Sequence, residues 1–140
     1  MNQAAILYPA IALAALTFVV LSLIPYQRFK ATFFLKQVVV DDFKFGESKN
    51  VPPGVSIPNR NYMNLLELPM LFYVVCLAMF VTETVAPVAV GLAWAYVALR
   101  SVHSLVHLTY NKVMHRLTFF AFSNFVLMVL WVLLALNLSK

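Results

Sequence analysis

The sequence has little charge for its length. Of 140 residues, only 11% are charged and 63% are hydrophobic, with ten Lys and Arg against five Asp and Glu. Soluble domains have roughly a quarter charged and about half apolar residues. So few charged side chains cannot cover the surface of a soluble fold of this apolar content. The composition therefore indicates a membrane protein and excludes a water-soluble enzyme.

Glycine and cysteine are also scarce. The three glycines, Gly46, Gly54 and Gly91, are too few and too scattered for a phosphate-binding loop or a dinucleotide fingerprint. This excludes nucleotide chemistry. The single cysteine, Cys76, excludes an internal disulfide and a metal site built from several cysteines.

Four long apolar runs are the main feature of the sequence. They are each close to the roughly 20 residues that a helix needs to cross a bilayer, and they cover about residues 4–24, 62–81, 87–110 and 117–136. The first run is too long for a signal peptide and lacks its basic start. A polar stretch at 26–60 joins the first two runs, and short links join the others. These features predict an all-α integral membrane protein, a four-transmembrane-helix bundle that forms one domain over residues 1–140.

Lys and Arg are distributed unevenly along the chain. Six lie in the 26–60 stretch and two more, Lys112 and Arg116, lie near the last link, whereas Lys140 alone lies at the opposite side. The positive-inside rule predicts that both polar loops are cytoplasmic and both termini non-cytoplasmic, in a bacterial inner membrane or the endoplasmic reticulum. Topology and anionic membrane lipids then account for the net charge of +5, so no nucleic-acid partner is expected.

Polar residues inside the spans form two stripes. The second span carries one stripe at i, i+4 and i+7 spacing, consisting of Arg60, Asn64 and Glu67. The third span carries another at alternating spacings of four and three residues, consisting of Tyr96, Arg100, His103, His107 and Tyr110. Ionisable groups in hydrocarbon are costly and face a bundle interior or a cavity. We therefore expect both stripes to face inward.

The two stripes reach similar depths. At a rise of about 1.5 Å per residue, Glu67 and Arg100 come close enough to form an ion pair, which would neutralise two costly charges. A purely structural ion pair does not explain the other polar side chains at the predicted cytoplasmic end of the spans. These are Arg60, Asn64, His107, Tyr110, His115 and Arg116. The sequence therefore predicts a polar cavity for an anionic, zwitterionic ligand.

Two histidines, His103 and His107, lie one helical turn apart, a geometry that can chelate a metal ion. The glutamate of a zincin motif is missing and no third ligand is evident, so we expect no metal site. Haem ligation is the next cofactor hypothesis. A single chain whose histidines all lie between residues 103 and 115 does not easily supply two facing axial ligands.

The motif residues resemble those of a known family. Residues 60–67, which read RNYMNLLE, resemble the R-x-x-x-N-x-x-E signature of the MAPEG family, the membrane-associated proteins in eicosanoid and glutathione metabolism. Arg100 and His103, with Arg116 sixteen residues after Arg100, are similar to the pattern of the family's microsomal glutathione transferase and prostaglandin E synthase branch. The resemblance covers the whole chain in length, four-helix topology and long first loop.

The resemblance implies a homotrimer that binds glutathione, as cosubstrate, between neighbouring subunits. By position, the residues that would contact glutathione are Arg60, Asn64, Glu67, Arg100, His103 and His107. Arg116 would be the catalytic residue, because it would stabilise the thiolate that attacks a lipophilic electrophile. His107 and Phe120 stand where members of that branch have tyrosines. The implied function is a membrane-embedded glutathione-dependent transferase or peroxidase.

Two other functions remain open from the sequence. A noncatalytic lipid-binding scaffold of the same fold would direct Arg116 toward lipid headgroups, whereas an enzyme needs this side chain in the cavity. A small transporter or proton relay would use Glu67, Arg100 and the histidines, but the sequence has neither an internal repeat nor paired broken helices.

Overall fold

The computed structural model describes residues 2–139, which form an all-α integral membrane fold. The helices are α1 (Leu7–Phe29), α2 (Pro53–Leu66), α3 (Pro69–Val81), α4 (Pro87–Leu108) and α5 (Val113–Leu138). A π-helical turn at Lys30–Phe34 continues α1, and 3-10 turns lie at Gln3–Ile6 and Val40–Phe43. Four helical segments are long and apolar enough to span a membrane, which confirms the predicted fold class. Lys140, one of the residues on which the predicted orientation rests, lies outside the described residues.

Proline sets the start of three helices. Pro53, Pro69 and Pro87 occupy the first position of α2, α3 and α4, respectively. The proline ring fixes φ near its helical value, and the missing N–H has no intrahelical partner at that position in any helix. These three helices therefore begin at prolines that the sequence displays directly.

The long loop is shorter than the polar stretch at 26–60 suggests. The first span stays helical through Phe34 and α2 begins at Pro53, so the loop, which contains the 3-10 turn at Val40–Phe43, spans only residues 35–52. The π-helical turn at Lys30–Phe34 contributes one side chain to a small second core. This core consists of four buried side chains: Ala31, Val38, Val51 and Val55. Because these side chains come from both ends of the loop, the pattern of either segment alone does not reveal this packing.

The second span is interrupted between α2 and α3, which differs from the single helix predicted over 62–81. Glu67 leaves helical geometry with φ −72° and ψ −95°, and α3 starts at Pro69. A proline inside a helix removes one backbone hydrogen bond and crowds the carbonyl four residues earlier. The break has no counterpart in the other three spans of residues 2–139, so it is not one of a transporter's paired breaks.

The four spans pack around one apolar core. The most extensive contacts join α4 to α5 and α1 to α2, and α1 also packs on α4. The core takes buried side chains from the start of the chain and every helix, among them Ile6, Leu13, Leu65, Phe72, Ala93 and Leu130. Phe72 of α3 stacks on Tyr96 of α4, with ring centroids 4.4 Å apart. This contact joins the broken span to the helix that carries the second polar stripe.

We expect Phe72→Ala to lower the free energy of unfolding by about 3–5 kcal/mol, because it opens a cavity in the core and removes the stack on Tyr96. Phe72 is 0% exposed, whereas Phe122 on the outer face of α5 is 60% exposed. Phe122→Ala is therefore the matched control and should cost much less. Denaturant unfolding in detergent micelles, followed by circular dichroism, measures both. Equal losses in the two variants would contradict the core position of Phe72.

Candidate functional site

A polar cavity opens at the end of the bundle where α2 begins and α4 turns into α5, which we refer to as the basic end. It has a volume of about 300 Å³, and its lining residues are Pro53, Ile57, Asn59, Arg60, Met63, Asn64, His107, Asn111 and Arg116. A second hollow of about 230 Å³ is lined by Asn64, His103, Val113, Arg116, Leu117 and Phe120. The two hollows share Asn64 and Arg116, and together they are called the basic cavity.

Five of the seven predicted site residues line the basic cavity: Arg60, Asn64, His103, His107 and Arg116. Helix α2 presents the first two one turn apart, and α4 presents the two histidines one turn apart with ring centroids 6.0 Å from each other. The first turn of α5 supplies the arginine. The polar faces of three helices therefore meet at this end of the bundle.

Arg100 lies outside the cavity lining and is 0% exposed. Its Nη2 donates a hydrogen bond to the backbone carbonyl of Asn64. In a continuous helix this carbonyl would accept the N–H of residue 68, but the break at Glu67 leaves it without that partner. The guanidinium therefore caps the C-terminal end of α2, where positive charge also complements the helix dipole. The helix break and the buried Arg100 are therefore linked, because the break leaves free the carbonyl that Arg100 binds.

Glu67 does not pair with Arg100, so the ion pair predicted from the sequence is wrong within one chain. Glu67 is exposed, and the one ion pair within residues 2–139 joins Arg28 to Glu47 at 3.6 Å. The predicted i, i+7 stripe assumed that α2 continues past residue 67. Because α2 ends at Leu66, Glu67 leaves the face that Arg60 and Asn64 share.

Neighbouring groups hold Arg116 at the cavity. Its Nη1 donates to Asn111 Oδ1 at 2.7 Å, and its backbone carbonyl lies 3.0 Å from His103 Nδ1. A carbonyl oxygen only accepts hydrogen bonds, so His103 carries its proton on Nδ1 in this contact. Arg116 is half-buried, and its Nε is buried without a hydrogen-bond partner within the described residues. The guanidinium is therefore held in place beside the cavity by Asn111.

Buried polar atoms without hydrogen-bond partners concentrate at the basic end. Of ten such side-chain atoms within residues 2–139, six belong to Asn61, Arg100, His103, His107 and Arg116. Buried polar groups in folded proteins nearly always have partners, because an unpaired group loses its hydration without compensation. Three of the six atoms, on His103, His107 and Arg116, belong to residues that line the basic cavity, so polar groups without protein partners lie along its wall.

Tyr110 is the one member of the second stripe that is exposed and not buried in the bundle. Helix α4 ends at Leu108, so the following turn carries Tyr110 out of the stripe. Its ring is exposed, and its hydroxyl lies 2.9 Å from His115 Nδ1 at the surface. Neither of these two side chains lines the basic cavity.

Two asparagines that are not among the predicted site residues contribute to this end of the bundle. Asn61 is fully buried on α2, and its Oδ1 accepts a hydrogen bond of 3.2 Å from Ser104 Oγ of α4. Asn111 has φ +50° in the turn before α5 and holds Arg116. Asparagine is typical of such left-handed turn positions. This propensity is a signal for the turn, but no sequence signal identifies Arg116 as the partner of its amide.

We expect Asn111→Gly to uncouple the turn from Arg116 while keeping the backbone conformation, because glycine adopts positive φ without strain. A double-mutant cycle with Arg116→Ala should give a coupling energy of about 1 kcal/mol. Asn111→Asp, which keeps the acceptor, should preserve the coupling. Denaturant unfolding of the single and double variants measures it, and strictly additive losses would contradict the contact.

A larger apolar hollow adjoins the basic cavity on α5. Its volume is about 590 Å³, and it is lined by Leu117, Thr118, Ala121, Phe122 and Phe125. Leu117 lines both this hollow and the basic cavity. A polar site and an outward-facing apolar site therefore lie side by side at the start of α5.

A family model matches most of the chain. The family model of the MAPEG family matches residues 6–136, a range that includes α1 to α4, all but the last two residues of α5, and every lining residue of the basic cavity. No curated protein and no solved structure matches the chain.

Proposed function

The chain belongs to the MAPEG family, and from this premise we propose that it is a glutathione-dependent transferase or peroxidase acting on lipophilic electrophiles in the membrane. The observation that carries the proposal is the position of Arg116, which lines both parts of the basic cavity. An enzyme needs a guanidinium there to stabilise a thiolate. A noncatalytic lipid-binding scaffold does not.

The donors of the basic cavity fit the chemistry of glutathione. Glutathione has two carboxylates, an ammonium group and a thiol. Arg60, at the exposed mouth, suits a carboxylate because its forked donors match two planar oxygens. Asn64 and His107 add polar atoms deeper in the same cavity. Arg100 would act indirectly, by holding the Asn64 backbone in place.

Arg116 would supply the catalytic effect. A thiol with a pKa of about 8.5 is mostly protonated at neutral pH, and an adjacent positive charge favours the thiolate. The thiol proton leaves to solvent, and the sulfur attacks the electrophile. In the transferase reaction, a carbon–sulfur bond forms while the leaving group departs or a strained ring opens. The arginine takes no proton in this step, because a guanidinium has only hydrogen-bond donors and no acceptor for a proton.

The apolar hollow on α5 would receive the lipophilic substrate. It faces outward on a membrane-spanning helix and meets the basic cavity at Leu117. A substrate dissolved in the bilayer would reach the thiolate laterally without crossing water. This arrangement gives a physical reason for placing the reaction in a membrane protein.

A homotrimer would complete the site. Glu67 is exposed within the second span, where a lone carboxylate facing lipid is costly. The main hollow of the basic cavity, about 300 Å³, is at the lower limit of ligand pockets, which range from roughly 300 to 1,000 Å³. A neighbouring copy packed here would cover Glu67 and enclose the ligand. Glu67 would then be available for the glutathione ammonium. Native mass spectrometry of the detergent-solubilised protein tests this assembly, and a stable monomer would contradict it.

A glutathione titration tests the proposed function. Binding is followed by calorimetry and thiolate formation by ultraviolet absorbance. Glutathione should bind saturably and form thiolate at neutral pH, whereas S-methylglutathione, which has no free thiol, should bind without the absorbance change. Binding of glutathione without thiolate would favour the noncatalytic scaffold, and absence of glutathione binding would contradict the proposed enzyme.

We also propose that the basic end faces the cytoplasm and that both termini are non-cytoplasmic, in a bacterial inner membrane or the endoplasmic reticulum. Six Lys and Arg residues in the 26–60 stretch, with Lys112 and Arg116 near the last link, support this orientation. Reporter fusions at either terminus should be inactive if they require the cytoplasm, and a fusion inserted after Lys49 should be active. The reverse result would overturn the orientation.

A further inference from the structure

The loop at residues 35–52 exposes large apolar side chains outside the membrane spans. Phe45 in the loop is 94% exposed, and Phe34, the last residue of the span before the loop, is 84% exposed. The first span ends at Phe34 and the second begins at Pro53, so Phe45 lies beyond both. A phenylalanine ring left in water forfeits the free energy of burying its apolar surface. An apolar environment is therefore expected around these rings.

The exposure of Phe45 follows from a folded loop. The Asp42 carboxylate accepts hydrogen bonds from the Val39 N–H at 3.0 Å, Ser48 Oγ at 2.7 Å and Asn50 Nδ2 at 3.3 Å. The Val39 N–H and then the Ser48 hydroxyl lower the pKa of Asp42, which keeps it ionised. Its neighbour Phe43 packs on the second core. The loop therefore directs Phe45 outward while its other aromatic ring is held inside.

In this region most carboxylates have partners within the protein, whereas the lysines are exposed. Asp42 is bound within the loop, and Glu47 pairs with Arg28, whose guanidinium also lies 4.8 Å from the Phe43 ring centroid. Four lysines are exposed, and none lies within 4.0 Å of a carboxylate in the described part of the chain: Lys30, Lys36, Lys44 and Lys49. Asp41 is the exposed carboxylate that remains. The outer surface is therefore both cationic and aromatic.

A cleft beside the loop has the same combination. It has a volume of about 350 Å³ and is lined by Tyr26, Phe29, Lys30 and Phe34. Phe29 stacks on Phe33 with ring centroids 5.4 Å apart. The three aromatic rings of the cleft suit an acyl chain, and its one lysine suits a phosphate above that chain. Lysine side chains at membrane interfaces lay their apolar stems along lipid and extend the ammonium to the headgroups.

We propose that the end of α1 and the loop form an interfacial platform that binds anionic phospholipids of the adjacent leaflet. The platform consists of residues 26–49: Lys30 and Lys44 contact lipid phosphates, and Phe34 and Phe45 insert among the acyl chains. Charge complementarity supports a lipid occupant, because Lys44 Nζ lies 5.4 Å from the Phe45 ring centroid and Lys30 lines the same cleft as Phe34. The platform also continues the exposed apolar surface of the spanning helix α1. The inference is independent of glutathione chemistry.

The position of Phe45 tests insertion. The full-length Phe45→Cys and Asn50→Cys variants carry a nitroxide label in nanodiscs, where Cys76 is buried and unlabelled. Spin relaxation by oxygen reports apolar surroundings, and relaxation by a water-soluble nickel chelate reports water. The residue 45 label should respond to oxygen and the exposed residue 50 label to nickel. A nickel response at residue 45 overturns the proposal, as does shielding from both reagents, which would indicate a second copy or another protein.

Headgroup choice tests the lysines. In mixed micelles, native mass spectrometry should show that the protein retains phosphatidylglycerol in preference to phosphatidylcholine. The Lys30→Gln, Lys44→Gln double variant should lose about fivefold of that preference per lysine. Lys112→Gln is the matched control, since this exposed lysine lies in the α4–α5 turn outside the platform. Unchanged preference in the double variant, or its abolition in the wild type by millimolar inorganic phosphate, overturns the lipid assignment.

Discussion

Arg116→Ala should lower the turnover of glutathione conjugation by about a hundred- to a thousandfold, as is typical when one donor that stabilises a developing anion is removed. The affinity for glutathione should change by only a few-fold. Arg116 lines both parts of the basic cavity and has an unpartnered Nε, so its loss removes a positive charge from the place proposed for the sulfur. The ultraviolet thiolate signal at saturating glutathione should largely disappear in this variant.

Arg60→Ala is the matched control for Arg116→Ala. It removes an arginine from the same cavity, but this one lies at the exposed mouth, where it suits a carboxylate. It should weaken glutathione binding while leaving the thiolate signal per bound molecule unchanged. If Arg116→Ala kept the wild-type thiolate signal at saturation, Arg116 would not be the residue that stabilises the thiolate.

Arg100→Met should lower the free energy of unfolding by about 2 kcal/mol and weaken glutathione binding by at least tenfold. The buried guanidinium donates to the Asn64 carbonyl, and a hydrogen bond from a charged group to such a site contributes roughly 1.5–3 kcal/mol. Without it, the end of α2 loses its cap, and Asn64 is no longer held at the cavity. Denaturant unfolding and glutathione calorimetry measure the two effects.

The break at Pro69 allows a sharper test of this arrangement. In Pro69→Ala the helix is free to continue, so the N–H of Leu68 becomes a partner for the Asn64 carbonyl. Arg100→Met should therefore cost less in the Pro69→Ala background, with a coupling energy of about 1–2 kcal/mol. Glu67→Gln is the control: it should leave the coupling intact, because Glu67 forms no ion pair with Arg100 in the chain. Additive effects of the Arg100 and Pro69 substitutions would contradict the capping role.

The helical membrane class and the location of the polar cavity at the basic end were predictable from the sequence. Apolar content and run length determine the class, because each residue is favoured in lipid or in water largely by its own side chain. Four of the predicted site residues, Arg60, Asn64, His103 and His107, line the basic cavity because the helical period holds within α2 and α4. Periodicity therefore locates side chains correctly wherever the helix that carries them remains regular.

Sequence periodicity failed where the backbone departs from the ideal helix. At Glu67, ψ is −95°, which turns that side chain away from the stripe on α2. The Asn64 carbonyl then accepts a hydrogen bond from Arg100 and not from the backbone N–H of residue 68. The link between Asn111 and Arg116 required the structure as well. So did the second core, which extends α1 and orients the loop that exposes Phe45. Each of these features depends on contacts between chain segments, which the tertiary structure decides because local pattern carries no information about partners distant along the chain.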